Sequence, residues 1–416
     1  MWLRLLIFLG VIGLAEYYSF VVIRSSVRNL PQVWRISLLA LYIVSTVLVW
    51  LSIAFFRQIN WAAMPHMLRN VFIAFALGFV IGKVLILLVM LVDDMRRGIM
   101  WLISAAKPAV AVATNAPQGT GMSRSAFFQT LALILGGTSL FGFIYGVSNR
   151  YNYSIRRVKL KSPSLPASFA GLKIVQISDI HTGSFDNHDA VAKGIQKIMN
   201  EKPDVIFFTG DLVNNHSEEV DERYQEIYSR LNAPMGVYSI LGNHDYGDYT
   251  QWPTKEAKKE NLDRLKRMHG EMGWRLLLNE HVLLQKGEDK IALIGVENWS
   301  AKGFHTYGDM AKAYSGLAEQ NIPFKILLSH DPSHWDAQVR PKYSDVQLTF
   351  SGHTHGMQFG IEIPGFKWSP VQYMYKEWAG LYQEGEQYLY VNRGFGFLGY
   401  PGRLGIMPEI TVIELA

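Results

Sequence analysis

The sequence predicts a two-part chain: an all-α four-helix transmembrane domain followed by an α/β domain layered on packed mixed sheets. Three observations predict it. The first 148 residues hold four long apolar stretches. From residue 171 onward, β-prone runs alternate with helical stretches and then give way to a strand-rich meander. Five of the β-prone runs end directly in Asp, His or Asn, residue types that bind metals.

With 416 residues, the chain has room for two domains. It contains no cysteine, which excludes disulfides, thiolate metal sites and Cys nucleophiles. The net charge of +5 is mild for this length. It suits an anionic substrate or a membrane surface, and no nucleic-acid partner is expected.

In chain order, candidate membrane helices cover residues 2–22, 36–56, 71–92 and 126–147. Each approaches the ~20 apolar residues that a helix needs to cross a bilayer. Gly78-x-x-x-Gly82 and Gly142-x-x-x-Gly146 offer small-residue faces for close helix approach. Glu16 and Lys83 fall inside the first and third spans, where unpaired charge is costly. They sit at similar depths on parallel spans, so the expectation is either an ion pair that fixes the bundle or snorkelling and separate polar contacts. Loop Arg and Lys residues, Arg57 and Lys107 among them, divide almost evenly between the two sides, so the positive-inside rule does not set the orientation. Ser123-Arg124-Ser125-Ala126-Phe127-Phe128 precedes the fourth span and resembles a degenerate twin-arginine export signal, with Ser125 in place of the second Arg. Read as a relic, it places the C-terminal half on the periplasmic side of a bacterial inner membrane. The domain divisions are then 1–148, a linker at 149–170 that carries Pro163 and Pro166, and 171–416.

In the last part, helices are expected at 188–201, 218–231, 254–271 and 308–320. Strands are expected at the runs LKIVQIS, DVIFFT, GVYSIL, FKILL and VQLTFS, then at 276–285, 290–296, 357–363, 388–392 and 409–415. The motifs that follow the five runs are Asp179-Ile-His181, Gly210-Asp211, Gly242-Asn243-His244-Asp245, Ser329-His330-Asp331 and Gly352-His353-Thr354-His355. Alternate residues of an extended segment share a face, so Asp179 with His181, and His353 with His355, are expected to point the same way. Asn243 offers a neutral amide oxygen, and the adjacent His244 and Asp245 can form a proton-transfer pair. Any one of these histidines alone would more often be a hydrogen-bonded structural residue. Five such motifs at successive strand ends point to a two-metal hydrolase site.

This ordered set, D-x-H, G-D, G-N-H-D, S-H and G-H-x-H, resembles the signature of the calcineurin-like metallophosphoesterase superfamily across residues 171–416. Within it, the sequence is similar to the membrane-associated bacterial branch that includes relatives of UDP-2,3-diacylglucosamine pyrophosphatases. The resemblance implies a four-layer αββα domain with two packed mixed sheets. It implies that Asp179, His181 and His355 bind one metal, that Asn243, His330 and His353 bind a second, and that Asp211 bridges both. It further implies His244 as the proton donor to the leaving oxygen, oriented by Asp245. The nitrogen and oxygen ligands suit two divalent ions of Mn, Fe or Zn and do not choose among them.

Gly394-x-Gly396-x-x-Gly399 matches a dinucleotide fingerprint in form only, because Pro401-Gly402 follows where a helix should begin. Arg393 and Arg403 are candidates for substrate phosphate binding or for pairing with local carboxylates. His216, His305 and His334 read as surface or structural residues. Trp252, Trp299, Trp368 and Trp378 are candidates for an acyl-chain pocket, with core packing or membrane contact as the alternative. The function expected is a membrane-anchored metal-dependent phosphoesterase acting on a phosphoester or pyrophosphate bond of a lipid-linked substrate, by attack of a metal-bridging hydroxide. Its partners are membrane lipids and a phosphorylated lipid or small molecule. A hydrolase of soluble phosphodiesters, or a catalytically silent membrane sensor with the same fold, are the alternatives.

Overall fold

The computed structural model of the chain describes residues 2–56, 58, 59, 61, 64–105 and 123–416; Arg57 and Lys107 lie outside them. The chain divides into two units, Met1–Val147 and Ser148–Ala416.

The first unit consists of helices α1 (Trp2–Ser26), α2 (Gln32–Ala54), α3 (His66–Ala105) and α4 (Arg124–Gly146). Among the described residues, the helical segments Gln32–Ala54, His66–Ala105 and Arg124–Asn149 are long and apolar enough to cross a membrane. Large apolar side chains such as Leu41, Leu88 and Phe141 stay exposed on these helices, as expected where lipid is the solvent. The third span was read as residues 71–92. The helix instead runs for 40 residues, or ~60 Å at 1.5 Å per residue, twice the hydrocarbon thickness. Its continuation carries Asp93, Asp94, Arg96 and Arg97, held in helical (i, i+3) pairs. Close approach of α3 to α4 depends on glycine. A Cβ on Gly78 would crowd the backbone of Leu140, and one on Gly82 would strike that of Gly136. The expected Glu16–Lys83 pair is formed at 2.7 Å. Thr46 also accepts from Lys83 at 2.9 Å, and Trp50 Nε1 donates to Glu16 at 2.7 Å, so one polar cluster joins α1, α2 and α3.

In the second unit the strands are β1 (Ser154–Leu160), β2 (Lys173–Ile177), β3 (Val205–Phe208), β4 (Val237–Ser239), β5 (Arg275–Leu276), β6 (Glu280–Lys286) and β7 (Asp289–Gly295). They continue with β8 (Lys325–Leu328), β9 (Leu348–Ser351), β10 (Ile361–Ile363), β11 (Phe366–Trp368), β12 (Gly380–Glu384), β13 (Gln387–Val391) and β14 (Glu409–Leu415). One mixed sheet has the order β1-β14-β2-β3-β4-β5 and the other β12-β13-β9-β8-β7-β6; β10 and β11 form a separate hairpin. The helices are α5 (His188–Asn200), α6 (Glu222–Tyr228), α7 (Lys255–Glu271) and α8 (Met310–Tyr314). Each starts at a side chain that accepts a backbone N–H three residues on: Asn187, Asp221, Thr254 and Asp309.

Three apolar layers hold this unit together. Val175, Ile206 and Phe208 of the first sheet pack on Val191, Ile195 and Ile198 of α5, spaced as one helical face, and on Leu265 and Met268 of α7. Ile174, Val205 and Phe207 point the other way and meet Leu293, Ile326, Leu348 and Phe350 of the second sheet. Ala292, Ile294 and Leu327 then cover Met310, Trp335 and Val339. The strands buried on both faces read as continuous apolar runs for this reason. The result is the four-layer αββα arrangement.

Three local expectations differ. The segment 149–170, read as a linker, contains β1, which pairs in parallel with β14 along Ser154–Leu160. It lies at the sheet edge, and its basic residues, the adjacent Arg156 and Arg157 among them, break the alternation that would mark a strand. The expected strand 357–363 shrinks to β10, because a tight turn over His355–Gln358 precedes it. The expected helix 308–320 breaks after Tyr314 at Ser315-Gly316, where Gly316 has φ +80°.

Candidate metal centre

Strands β2, β3, β4, β8 and β9 deliver the five motifs from their carboxyl ends, where open α/β sheets place their ligands. The ligand residues do not continue the strands. Asp179, His181, Asp211, His353 and His355 all have φ between 50° and 70°, the left-handed region. The expectation that Asp179 and His181 share a face as alternate residues of an extended segment is therefore incorrect, and the same holds for His353 and His355. The chain turns sharply at each of them and aims the side chains by backbone strain, at a cost of about 1–3 kcal/mol apiece. Glycine makes room for the turns. A Cβ on Gly242 would collide with the Asp211 carboxylate, and one on Gly352 with that of Asp179.

Two sets of ligand atoms converge. In the first, Asp179, His181 and His355 offer one atom each, all within 4.8 Å of one another. His355 Nε2 lies 3.3 Å from Asp179 Oδ1. The Nε2 atoms of His181 and His355 are buried and have no hydrogen-bond partner among the described residues, an arrangement that fits a bound cation and is costly without one. In the second, Asn243 Oδ1 lies 3.1 Å from His330 Nε2 and 2.9 Å from His353 Nδ1. Asp211 Oδ2 faces both sets, 3.5 Å from His181 Nε2 and 3.1 Å from His330 Nε2. All these donors are oxygen or nitrogen, and together they fit divalent cations.

The far nitrogens set the tautomers. His330 Nδ1 donates to the Thr209 carbonyl at 2.7 Å. His181 Nδ1 lies 3.1 Å from Asn214 Oδ1. His353 is turned the other way: its Nε2 meets the Tyr375 hydroxyl at 2.9 Å, and Tyr375 in turn donates to Asp331 at 3.2 Å. Burial pushes His181 down to about 3 and His355 well below its ordinary value, so both rings are neutral, the form that binds metals. Burial, with help from the Asp211 charge, raises Asp179 to about 6. Burial opposes protonation of His330 too, yet Asp211 and Asp179 lift it to about 10. That rise measures how negative the meeting point of the ligands is.

His244 is half-buried beside both sets. Its backbone N–H donates to Asp211 Oδ1 at 2.8 Å, and its Nδ1 donates to the Asn214 carbonyl at 2.9 Å, which leaves Nε2 free of those contacts. Asp245 does not join it. The Asp245 carboxylate turns inward and accepts the backbone N–H groups of Asp211 at 2.8 Å, Leu212 at 2.8 Å, Val213 at 3.2 Å and Gly242 at 2.9 Å. Four converging donors outcompete one imidazole, and the expected His–Asp proton pair is not formed.

Other expectations resolve in the same way. Arg393 is buried between Glu409 and Glu362. Arg403 is buried and donates to the carbonyls of Arg393 at 2.7 Å and His355 at 3.2 Å and to that of Gly396. Both arginines brace the glycine-rich segment around Gly394 from within, where their charge is already used, and neither presents itself as an open phosphate site. His334 is structural but fully buried, between Ser329 and Gln338. The tryptophans go to separate places: Trp252 beside His216, Trp299 on His334, Trp378 in a small core with Val371 and Ile406, and Trp368 on the β10–β11 hairpin. Asn214, Tyr375 and Asp331 were missed as supporting residues. Asn214 had a faint signal, a polar turn three residues after Asp211; Tyr375 had none.

Comparison with known proteins agrees with this geometry. A model of the calcineurin-like phosphoesterase family matches residues 172–357. A second, described as the transmembrane domain of a probable calcineurin-like phosphoesterase, matches residues 3–150. The metallophosphoesterase YkuE of Bacillus subtilis is 32% identical over 261 residues, which is 62% of this chain and 83% of that protein. A transmembrane protein with metallophosphoesterase domain from Danio rerio is 31% identical over 71% of this chain, and the chain spans 64% of its length. The UDP-2,3-diacylglucosamine pyrophosphatase LpxG of Chlamydia trachomatis is 28% identical over 60% of this chain and 86% of its own.

Proposed function

The chain belongs to the calcineurin-like phosphoesterases, metal-dependent hydrolases, and has a transmembrane domain; on that premise we propose that it hydrolyses a phosphoester or pyrophosphate bond of a lipid-linked substrate at a centre of two divalent cations. The observation that carries this reading is the convergence of two ligand sets on one carboxylate, Asp211, with buried unpartnered Nε2 atoms on His181 and His355. Asp179, His181 and His355 would hold one cation and Asn243, His330 and His353 the other, with Asp211 facing both sets.

Bound there, Mn, Fe or Zn would supply Lewis acidity toward phosphoryl oxygens and make water a nucleophile near neutral pH. The protein's own groups do the rest. Buried carboxylates and imidazoles would hold the centre in one geometry, and two divalent ions against two carboxylates would leave it positive toward a phosphate oxyanion. His244, fixed through Nδ1, offers Nε2 to the leaving oxygen as a proton donor. Water attacks phosphorus directly, with no covalent enzyme intermediate.

A lipid-linked substrate is supported by the membrane helices and by the likeness to LpxG, whose name states a diacylglucosamine nucleotide as its substrate. We place the protein in a bacterial inner membrane with the hydrolase unit on the periplasmic side, on the strength of the export-like segment before α4. A C-terminal alkaline phosphatase fusion tests the side: an inactive fusion places the unit in the cytoplasm. To test the chemistry, the full chain in detergent is assayed with bis-(p-nitrophenyl) phosphate and with phosphorylated lipids, with Mn and after chelation. Elemental analysis counts the ions. Turnover that needs metal, with two ions per chain and a preference for lipid, is the expected result. Preference for soluble diesters removes the lipid reading, and no metal-dependent turnover removes the catalytic one in favour of a silent sensor.

A further inference from the structure

The β10–β11 hairpin is turned inside out. Its register pairs Ile361 with Trp368, Glu362 with Lys367 and Ile363 with Phe366. Alternation along each strand therefore puts all four apolar residues on one face and the two charges on the other. In a soluble protein the apolar face would pack inward. Here Glu362 turns inward instead, while Lys367 stays exposed along its stem and is drawn back at its ammonium. Glu362 binds Arg393 at 2.8 Å and Arg156 at 3.1 Å, while Lys367 donates to the Ala379 carbonyl and lies over the rings of Trp378 and Tyr382. The apolar face is left outside: Ile363 is 59% exposed and Phe366 52%. The turn that follows adds Tyr373, 78% exposed, and Met374, 59% exposed. A contiguous patch of large apolar and aromatic groups, kept outward by ion pairs behind it, marks a binding surface.

We propose that this hairpin and the turn after it dip their apolar face into the interfacial zone of the lipid bilayer that the N-terminal helices span. Two further facts point to lipid as the occupant. Aromatic residues alongside aliphatic ones are the composition that prefers the boundary between headgroups and acyl chains. The connection to the membrane helices is also short. The last apolar helical segment ends at Asn149 and β1 begins at Ser154. The residues between reach ~14 Å at most when extended, and Arg156 of β1 is the residue that grips Glu362. Since β10 begins six residues after His355, a hairpin held in the bilayer would keep the metal ligands within reach of lipid headgroups. The proposal concerns contact with lipid and stands apart from the reaction catalysed.

The chain contains no cysteine, so single labels can be placed without altering the background. Full-length protein carrying Ile363→Cys, Phe366→Cys, Tyr373→Cys or, as a control on the β6–β7 turn, Glu288→Cys is labelled with bimane. It is then reconstituted at one copy per nanodisc with and without doxyl-labelled phosphatidylcholine. The result expected is at least twofold stronger quenching at the three hairpin and turn positions than at Glu288. Equal quenching at all four sites overturns the proposal. So does a blue shift that occurs only with two copies per disc and without doxyl quenching, which would make the face a contact between copies. None of these readouts depends on metal or turnover, so they fail or succeed separately from the phosphoesterase reading.

Discussion

The carboxylate of Asp245 accepts the backbone N–H of Asp211 at 2.8 Å, while the His244 side chain that precedes it bonds through Nδ1 to the Asn214 carbonyl at 2.9 Å. Asp245 is thus a positioning residue, holding the loop that presents Asp211. In Asp245→Asn an amide NH2 meets backbone donors, leaving up to two of them unpaired at a cost of about 3 kcal/mol. Thermal stability and metal occupancy should both fall, with the acidic and basic limbs of the pH–rate profile unmoved. His244→Gln should do the reverse: occupancy is kept, while kcat drops about 10²- to 10⁴-fold. The drop should be largest for alkyl esters and small for p-nitrophenyl esters, whose leaving group needs no proton. Loss of a pH–rate limb in Asp245→Asn would restore it as a proton-transfer partner.

Tyr375 links His353 Nε2 to Asp331 through one hydroxyl. Tyr375→Phe keeps the ring and removes that link. Metal affinity should weaken about 10- to 100-fold at one of two sites, seen by calorimetric titration as a split of the two binding steps. A pair of steps unchanged in affinity would show that the hydroxyl does not orient His353.

The Glu16–Lys83 pair also accepts a test by subtraction. Lys83→Met leaves the Glu16 carboxylate among apolar helices with only Trp50, Tyr42 and their neighbours for support, at a cost of about 3–5 kcal/mol. Adding Glu16→Gln removes the stranded charge and keeps an acceptor for Trp50, so the double variant should recover most of the loss. Melting in detergent measures both. A double variant no better than the single one would mean that the pair acts by packing and not by charge.

His269 gives the hydrolase unit a pH dependence away from the metal centre. It is fully buried against Ser239, and burial lowers it from 6.5 to about 3. The unfolded chain binds this proton below pH 6.5 and the folded chain does not. Stability is therefore whole above about pH 6.5 and falls by up to about 1.4 kcal/mol per unit as the pH drops toward 3. Urea midpoints from pH 7 to pH 4 should fall less steeply in His269→Gln than in the parent. Parallel slopes would remove His269 from the account.

Much of this was legible because the information was local. The apolar runs of β2, β3, β4, β8 and β9 are short, continuous and followed at once by a ligand, so strand, end and ligand are all written within ten residues. The long apolar helices obey a length rule and appear as helices, the third much longer than expected, with Glu16 and Lys83 as a pair. The misreadings share a cause. Basic residues on an edge strand look like a linker, and β1 is a strand only because β14, some 250 residues later, pairs with it. Arg393 and Arg403 look like phosphate binders until Glu409, Glu362 and the carbonyls of the glycine-rich segment claim them.

What the sequence determined by itself was the kind and order of the candidate ligands, the placement of each at a strand end, and the split between membrane helices and a layered α/β domain. These follow from periodicity and from adjacent residues. Only the tertiary structure decided where the side chains point: Asp245 inward to four N–H groups, Tyr375 onto His353, the ligand turns into left-handed backbone, and the β10–β11 hairpin with its apolar face outward. A side chain's direction is set by which distant donors, acceptors and apolar surfaces compete for it, and that competition exists only once the chain has folded.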